Sequence, residues 1–469
     1  MLANEIRRAH LKYMADLGHS IIPRAPLAPR VARNTLLTAS GVQPLLPFVL
    51  GAEHPSGSRV ANSQPCLRLN DADQVGDNRH STFFEMLGNW SFGDYYKHEQ
   101  ITQCWYFLTD IVGLDPRRLY VSCFAGDASH GIPRDEESAA IWASLFASAG
   151  IDAHSTVVGS ENQAARIGTN EARIVFYNRK NWWCRCGTLD DMPTGEPGGV
   201  NTEVFYLFPD VEHSRSLGEY CHPNCDCGRF IELANSVFME HLRTTSGFQP
   251  LSRPSVDFGA GLARLAAASS DTPDIFQTDL FRPGIQHLEQ LTGRRYKEFP
   301  ADMQIIVDHL VGAAFLALDG VAPSNKAQGY ALRRLTRRAM RSACTLGLDS
   351  RILTELVPSA LTPYAESYPE VVERSGDVIE VLSAEDALFR RALQRGLKRI
   401  DTLSNGLRGS DLFFLYDTHG VPSEVSTTVA RVRGYTLDLG WREEFDYFMG
   451  LQRSRARAAA KGGVGRPPP

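Results

Sequence analysis

The sequence predicts an α+β protein, in which a domain built on an antiparallel sheet is followed by an all-helical domain. Three observations predict it. The first half mixes short β-like runs with turns and separate helical patterns. From about residue 276 the apolar periodicity is helical throughout. With 469 residues, 43% of them hydrophobic, the chain can fill two or three cores. The domains are placed at 1–275 and 276–452, and the basic, Gly/Pro-rich tail at 453–469 is expected to fray.

The elements follow in order. MLANEIRRAHLKYMADLG reads as an amphipathic helix charged throughout, without the apolar core of a secretory signal. SIIP, RIVFY, EVFYLF and PSVDFGAG read as strands, and EESAAIWASLFASAG as a helix between them. MQIIVDHLVGAAFLALDGV, GYALRRLTRRAMRSACTLG and DALFRRALQRGLKRIDTLS repeat their apolar positions at helical spacing. No run of eighteen apolar residues occurs, so no membrane span is expected and the cytoplasm is the expected location. A net charge of -5 excludes a uniformly basic nucleic-acid-binding surface but leaves room for a local basic face.

Several chemistries are excluded by their missing motifs. There is no G-x-x-x-x-G-K-[ST] loop and no G-x-S-x-G elbow. DFGAG holds a lone G-x-G, too weak for a dinucleotide fold. Of the nine cysteines, Cys66, Cys104, Cys123 and Cys344 are scattered and read as small buried residues. Cys184 and Cys186, with Cys221, Cys225 and Cys227, cluster as WCRCG and YCHPNCDCG. In a reducing compartment such clusters suggest a structural Zn²⁺ stapling a long loop, the alternative being reduced loop thiols. HSTFFEMLGNWSFGDYYK, residues 80–97, concentrates aromatic rings and two glycines. It reads either as a buried hairpin or as a platform that stacks a flat ligand, and spacing alone does not choose.

Taken together, several stretches resemble the alanyl-tRNA synthetases, of the class II aminoacyl-tRNA synthetase type. Residues 80–97 are similar to that family's second signature motif, and GHSIIPRAPLAP with NTLLTASGVQPLLPFVLG to its first. PSVDFGAGLARLA with TDLFRPGI is similar to its third. GIPRDEESAAIW, RFIELANSVFME, DHLVGAAFLALDGVAPSNKAQGYALRRLTRRAMR and LYDTHGVP follow in the family's order, from about residue 5 to about residue 458. The resemblance implies a class II antiparallel-sheet catalytic domain and a helical, tRNA-recognition-like domain. It also implies ATP accompanied by Mg²⁺, and formation of an aminoacyl adenylate.

Site residues follow from the same resemblance. The 80–97 stretch would be a strand–loop–strand that cradles ATP, with Phe84 stacking the adenine, Gly88 and Gly93 allowing the turns, and Trp90 in the core. Arg68 would sit on the α-phosphate and Arg264 on the far phosphates, with Arg79 nearby. Arginine suits this because its planar fork pairs with phosphate oxygens and stays charged. Asp257 would hold the α-amino group, and Val42, Trp183, Val237 and Gly259 would wall a methyl-sized pocket. Alanine is the implied substrate, with serine and glycine as competitors, since a pocket separates single methylenes by only ~1–3 kcal/mol.

The departures from the family bear on the acceptor. RLNDADQVG replaces a Gly-Gly-Lys-His stretch after Arg68, and Ala263 stands where a Glu precedes the third-motif arginine. Val42 stands where the family usually has Met, the region between Trp183 and Glu203 is rewritten, and GYALRR follows KAQ. The resemblance stops where the family's aminoacylation portion stops, so the editing and C-terminal domains are expected to be missing. These departures favour a paralogue that passes alanine to a small nucleoside-like metabolite. The competing expectation is a trimmed tRNA ligase whose Arg334, Arg337, Arg338 and Arg341 form one basic helical side for tRNA phosphates. A non-catalytic tRNA-binding paralogue is the third reading.

Overall fold

The computed structural model describes residues 1–29, 35–185, 188–349, 351–400 and 406–462. They divide into two compact units: Met1–Pro283 with Pro363–Tyr368, and Gly284–Thr362 with Pro369–Pro469. The division falls at Pro283, beyond the change of texture near 275, and a short segment around Tyr364 returns to the first unit.

The first unit is a sheet of ten strands among the described residues. They are β1 (Ser20–Ile21), β2 (Arg59–Leu67), β3 (Phe83–Phe92), β4 (Leu119–Phe124), β5 (Ser155–Gly159), β6 (Ile174–Tyr177), β7 (Trp182–Trp183), β8 (Pro197–Leu207), β9 (Phe230–Thr244) and β10 (Gly247–Gly261). Their order is β1-β2-β3-β10-β9-β8-β4-β6-β5, with β7 paired to β8. The central run from β2 to β4 is antiparallel, as expected. Both margins are parallel: β1 on β2, and β4, β6 and β5 on one another. Parallel neighbours need long crossovers, and the helices Glu136–Ser148 and Glu161–Ile167 supply those among β4, β5 and β6.

Residues 80–97 hold one strand, β3, not the expected strand–loop–strand. That arrangement is made by β2 and β3 around the loop 68–82. Gly93 turns the chain with φ +71°, but Gly88 makes no turn. It lies mid-strand opposite Gly259, and a Cβ there would stand 2.2 Å from the Trp90 ring. Trp90 is fully buried in a cluster with Val42, Leu45, Val60, Phe92 and Met239.

Alternation along β3 sends its side chains to two faces. Glu85 points away from Trp90 and is buried with Arg7 of the helix Ala3–Asp16, their atoms 2.5–2.8 Å apart. The Tyr368 hydroxyl donates to the same carboxylate at 2.9 Å. Burying this ion pair is tolerable because both charges are hydrogen-bonded.

The second unit is helical, and its longer helices are Pro300–Leu318, Ala327–Thr345, Ser375–Ile400 and Trp441–Gly462. The first is long and apolar enough to cross a membrane, yet 83% of its apolar window is buried, as in a core helix. The last runs past residue 453, where fraying was expected, and residues 463–469 lie outside the described residues. Of the arginines expected to form a phosphate-binding face, Arg337, Arg338 and Arg341 have partners within this unit. Arg337 donates to the Glu385 carboxylate at 2.6 Å, which also accepts from the neighbouring Arg333 at 3.2 Å. Arg338 donates to His309 at 3.0 Å, and the Arg341 guanidinium lies over the Tyr416 ring at 5.0 Å.

Candidate functional site

One face of the sheet carries a cavity of about 310 Å³. The period of two explains which residues reach it. Phe84 and Met86 of β3, Asp257, Gly259 and Gly261 of β10, Leu233, Asn235 and Val237 of β9, and Glu203 of β8 all line it. Cross-strand register puts Gly88, Gly259, Asn235 and Glu203 in one row, and Trp90, Asp257, Val237 and Asn201 in the next. Gly259 brings backbone to the cavity, while the space over Gly88 is filled by the Trp90 ring. A Cβ on Gly259 would come 2.7 Å from the Met86 sulfur.

The cations come from just beyond strand ends. Arg68 follows β2 and lies at the cavity with its guanidinium 4.8 Å from the Phe84 ring centre and its Nε donating to the Ala39 carbonyl at 3.1 Å. Arg79, on the loop before β3, donates to the Asp226 backbone carbonyl at 2.7 Å and to its carboxylate at 3.0 Å. Arg264, in the first turn of the helix that follows β10, donates to Glu232 through both its backbone carbonyl and its carboxylate. Ala263 lines the cavity beside it.

Asp257 is the buried acid of the site. The Trp90 indole N–H donates to it at 2.7 Å. Burial dominates that hydrogen bond, so its carboxyl is pushed up to about 7. Glu203 accepts from the Ser122 hydroxyl at 3.1 Å and from the amides of Asn201 and Asn235 at 3.4 and 3.3 Å. Burial and then the nearby charge of Glu232 hold Glu203 well above the ordinary carboxylate range. The carboxylates of Glu203 and Glu232 offer the hard oxygen donors that suit Mg²⁺, with the amide nitrogens of Asn201 and Asn235 turned toward Glu203.

The cavity thus brings together Arg68, Arg79, Phe84, Trp183, Val237, Asp257, Gly259 and Arg264. Val42 is the exception: it is fully buried in the apolar cluster with Trp90 and does not line the cavity. Its short side chain fills core volume and makes no pocket wall. Sequence reasoning missed Met86, Glu203, Glu232 and Asn235. A lone Glu inside an otherwise apolar strand, as in TEVFYL, was the one available signal.

The cysteines regroup. Cys221, Cys225 and Cys227 meet His213, which had not been singled out, with all four ligand atoms within 4.8 Å of one another. Cys184 stands outside this group, its thiol toward the Thr188 carbonyl at 3.6 Å. Cys186 lies outside the described residues.

The family described as tRNA synthetases class II (A) matches residues 5–465. Alanine–tRNA ligase of Treponema pallidum is 36% identical, the alignment covering 98% of this chain and 74% of that protein. Its counterpart in Thermotoga maritima is 38% identical over 98% of this chain and 50% of that protein. The one from Xanthomonas axonopodis pv. citri is 38% identical over 99% and 50%. The chain therefore spans from half to three quarters of the length of these relatives.

Proposed function

This chain belongs to the class II (A) tRNA synthetases, and from that premise we propose that it activates alanine with ATP and transfers the alanyl group to an acceptor hydroxyl. The observation that carries the reading is one cavity lined by Arg68, Arg79 and Arg264, the Phe84 ring and the buried Asp257 carboxylate. An alanine carboxylate oxygen attacks the α-phosphorus, the bond to the β-phosphate oxygen breaks, and pyrophosphate leaves. Two anions must approach, so Arg68 and Arg264 neutralise the phosphates. Phe84 stacks the adenine. Asp257, ionised, pairs with the alanine ammonium. Val237, Trp183 and Gly259 would wall the space for the alanine methyl group. The Glu203–Glu232 pair would hold Mg²⁺, which when bound screens the phosphate charge.

In the second half-reaction an acceptor oxygen attacks the alanyl carbonyl and AMP leaves. The names of the relatives point to tRNA as acceptor. A second reading, transfer to a small nucleoside-like metabolite, is favoured by one observation. Arg333, Arg337 and Arg338 are occupied by Glu385 and His309, which reduces what the basic helix offers to RNA phosphates.

ATP–pyrophosphate exchange with alanine, serine and glycine tests the first step. Exchange strongest with alanine is expected; no exchange with any amino acid would overturn the reading. Offering the adenylate-loaded enzyme tRNA and a panel of nucleosides then separates the two acceptors.

A further inference from the structure

The connection between the paired ends of β8 and β9, residues 208–229, is a long hairpin loop whose regular structure is a single short turn, Arg215–Leu217. Loops of this length inside a domain need something to hold them. We propose that this loop is a zinc knuckle, with His213, Cys221, Cys225 and Cys227 as its four ligands, and that the metal fixes the segment which anchors Arg79.

The geometry points to coordination and away from a disulfide. The Cys221 and Cys227 sulfurs are 3.5 Å apart, far beyond the ~2.05 Å of a bonded pair. The Cys225 sulfur lies 3.6 Å from His213 Nδ1. Tetrahedral zinc with Zn–S bonds of ~2.3 Å has ligand-to-ligand edges of roughly 3.5–3.8 Å. A second, independent observation concerns the imidazole. His213 Nε2–H donates to the Gly218 carbonyl at 3.0 Å, which leaves the Nδ1 lone pair facing the sulfurs. That outer hydrogen bond is what orients a metal-binding histidine. Three thiolates and one imidazole are a soft donor set suited to Zn²⁺. They close the coordination sphere, so the metal is structural, with no open position for catalysis.

The knuckle reaches the cavity through one residue. Asp226, between two of the ligands, receives the Arg79 guanidinium through both its carbonyl and its carboxylate. Gly228, at φ +82°, lets the chain pass close to Asn78 and Arg79. This link to Arg79 matters for ATP only under the function proposed above; the metal site itself does not depend on it.

The test uses the full chain. Elemental analysis of protein purified without chelator should find about one zinc per chain. Adding Co²⁺ to metal-stripped protein should produce the thiolate-to-cobalt absorption and visible bands of a tetrahedral site. Cys225→Ser and His213→Ala should lose that spectrum, and Cys184→Ser should keep it. Stripped wild-type protein should be cut by protease within 208–229, and zinc should restore protection. Stripping should also raise the ATP Kd about ten-fold, as Arg79→Ala should, with no further loss when the two are combined. A wild-type protein that binds neither metal overturns the site, whatever the variants do. A spectrum lost equally in Cys184→Ser overturns the ligand set. An ATP Kd unchanged by stripping overturns the link to Arg79. Protein that binds cobalt but never binds ATP would leave the knuckle standing and sink the proposed function instead.

Discussion

The proposed function asks two opposed things of Asp257: to stay buried beside Trp90 and to carry a charge for the amino group of alanine. Its carboxyl titrates near 7 when folded, against about 3.9 in an unfolded chain. The folded state therefore holds the proton more tightly, and stability falls as pH rises from about 4 to about 7, remaining low above that. Asp257→Asn removes this cost. The variant should melt at a higher temperature than wild type at pH 8, by an amount equivalent to roughly 1–4 kcal/mol, with the gap closing toward pH 4. It should also show no alanine-dependent pyrophosphate exchange. In wild type, alanine affinity should weaken as pH falls below about 7. Arg264→Ala should fold normally, judged by circular dichroism, and lose about 10²–10³ in exchange rate. Wild-type exchange in that variant would contradict the role given to this arginine. Residues that belong to recognisable motifs, such as Arg68, Phe84, Asp257 and Arg264, were legible because neighbouring residues identify them. Glu203 and His213 were not, because a single residue in a strand or loop carries no spacing of its own. Val42 misled because a buried valine reads alike as pocket wall and as core.

At the scale of elements, β3 explains why the site is where it is. One strand presents Phe84 and Met86 to the cavity and Glu85 to the opposite face. Between them and Trp90, Gly88 leaves the space that the indole fills. Gly88→Ala should therefore destabilise the protein by about 1–3 kcal/mol through overpacking, despite alanine's better backbone propensity. Urea denaturation followed by tryptophan fluorescence would measure it, and a neutral or stabilising result would mean Trp90 has room to move. Four strands, in SIIP, RIVFY, EVFYLF and PSVDFGAG, were readable as short β-like runs between turns, and several of the helices from their 3.6-residue period. The parallel margins were not, since strand pairing is set by crossovers whose direction the local pattern does not encode. The strand–loop–strand expectation misplaced its turn for a related reason. A glycine inside a strand signals either a bend or a close approach, and only the Trp90 ring decides which.

At the scale of the molecule, distant parts of the chain converge on one buried carboxylate. Arg7, Ser63 and Tyr368 all bond to Glu85, across sequence separations of up to 283 residues. Tyr368 belongs to the short segment that returns to the first unit after the chain has begun the second. Tyr368→Phe leaves the ring and removes the donated hydrogen bond. We expect a loss of about 1–3 kcal/mol in chemical denaturation, the usual cost of leaving a buried charge one partner short. A loss below about 0.5 kcal/mol would mean that Arg7 and Ser63 suffice. Such a return could not be read from texture, because a few residues between helices carry no mark of the unit they join.

The half-neutral state of Asp257 has a calorimetric consequence. With the Asp257 carboxyl pushed up to about 7, the free protein should carry it protonated about half the time near pH 7, whereas under the proposed function the ammonium group of bound alanine would hold it ionised. Each binding event there should expel about half a proton into the buffer. The heat of alanine binding measured in Tris should then differ from that in phosphate by the same fraction of the difference in their ionisation enthalpies. At pH 9, where the carboxyl is already bare, the two buffers should report one heat.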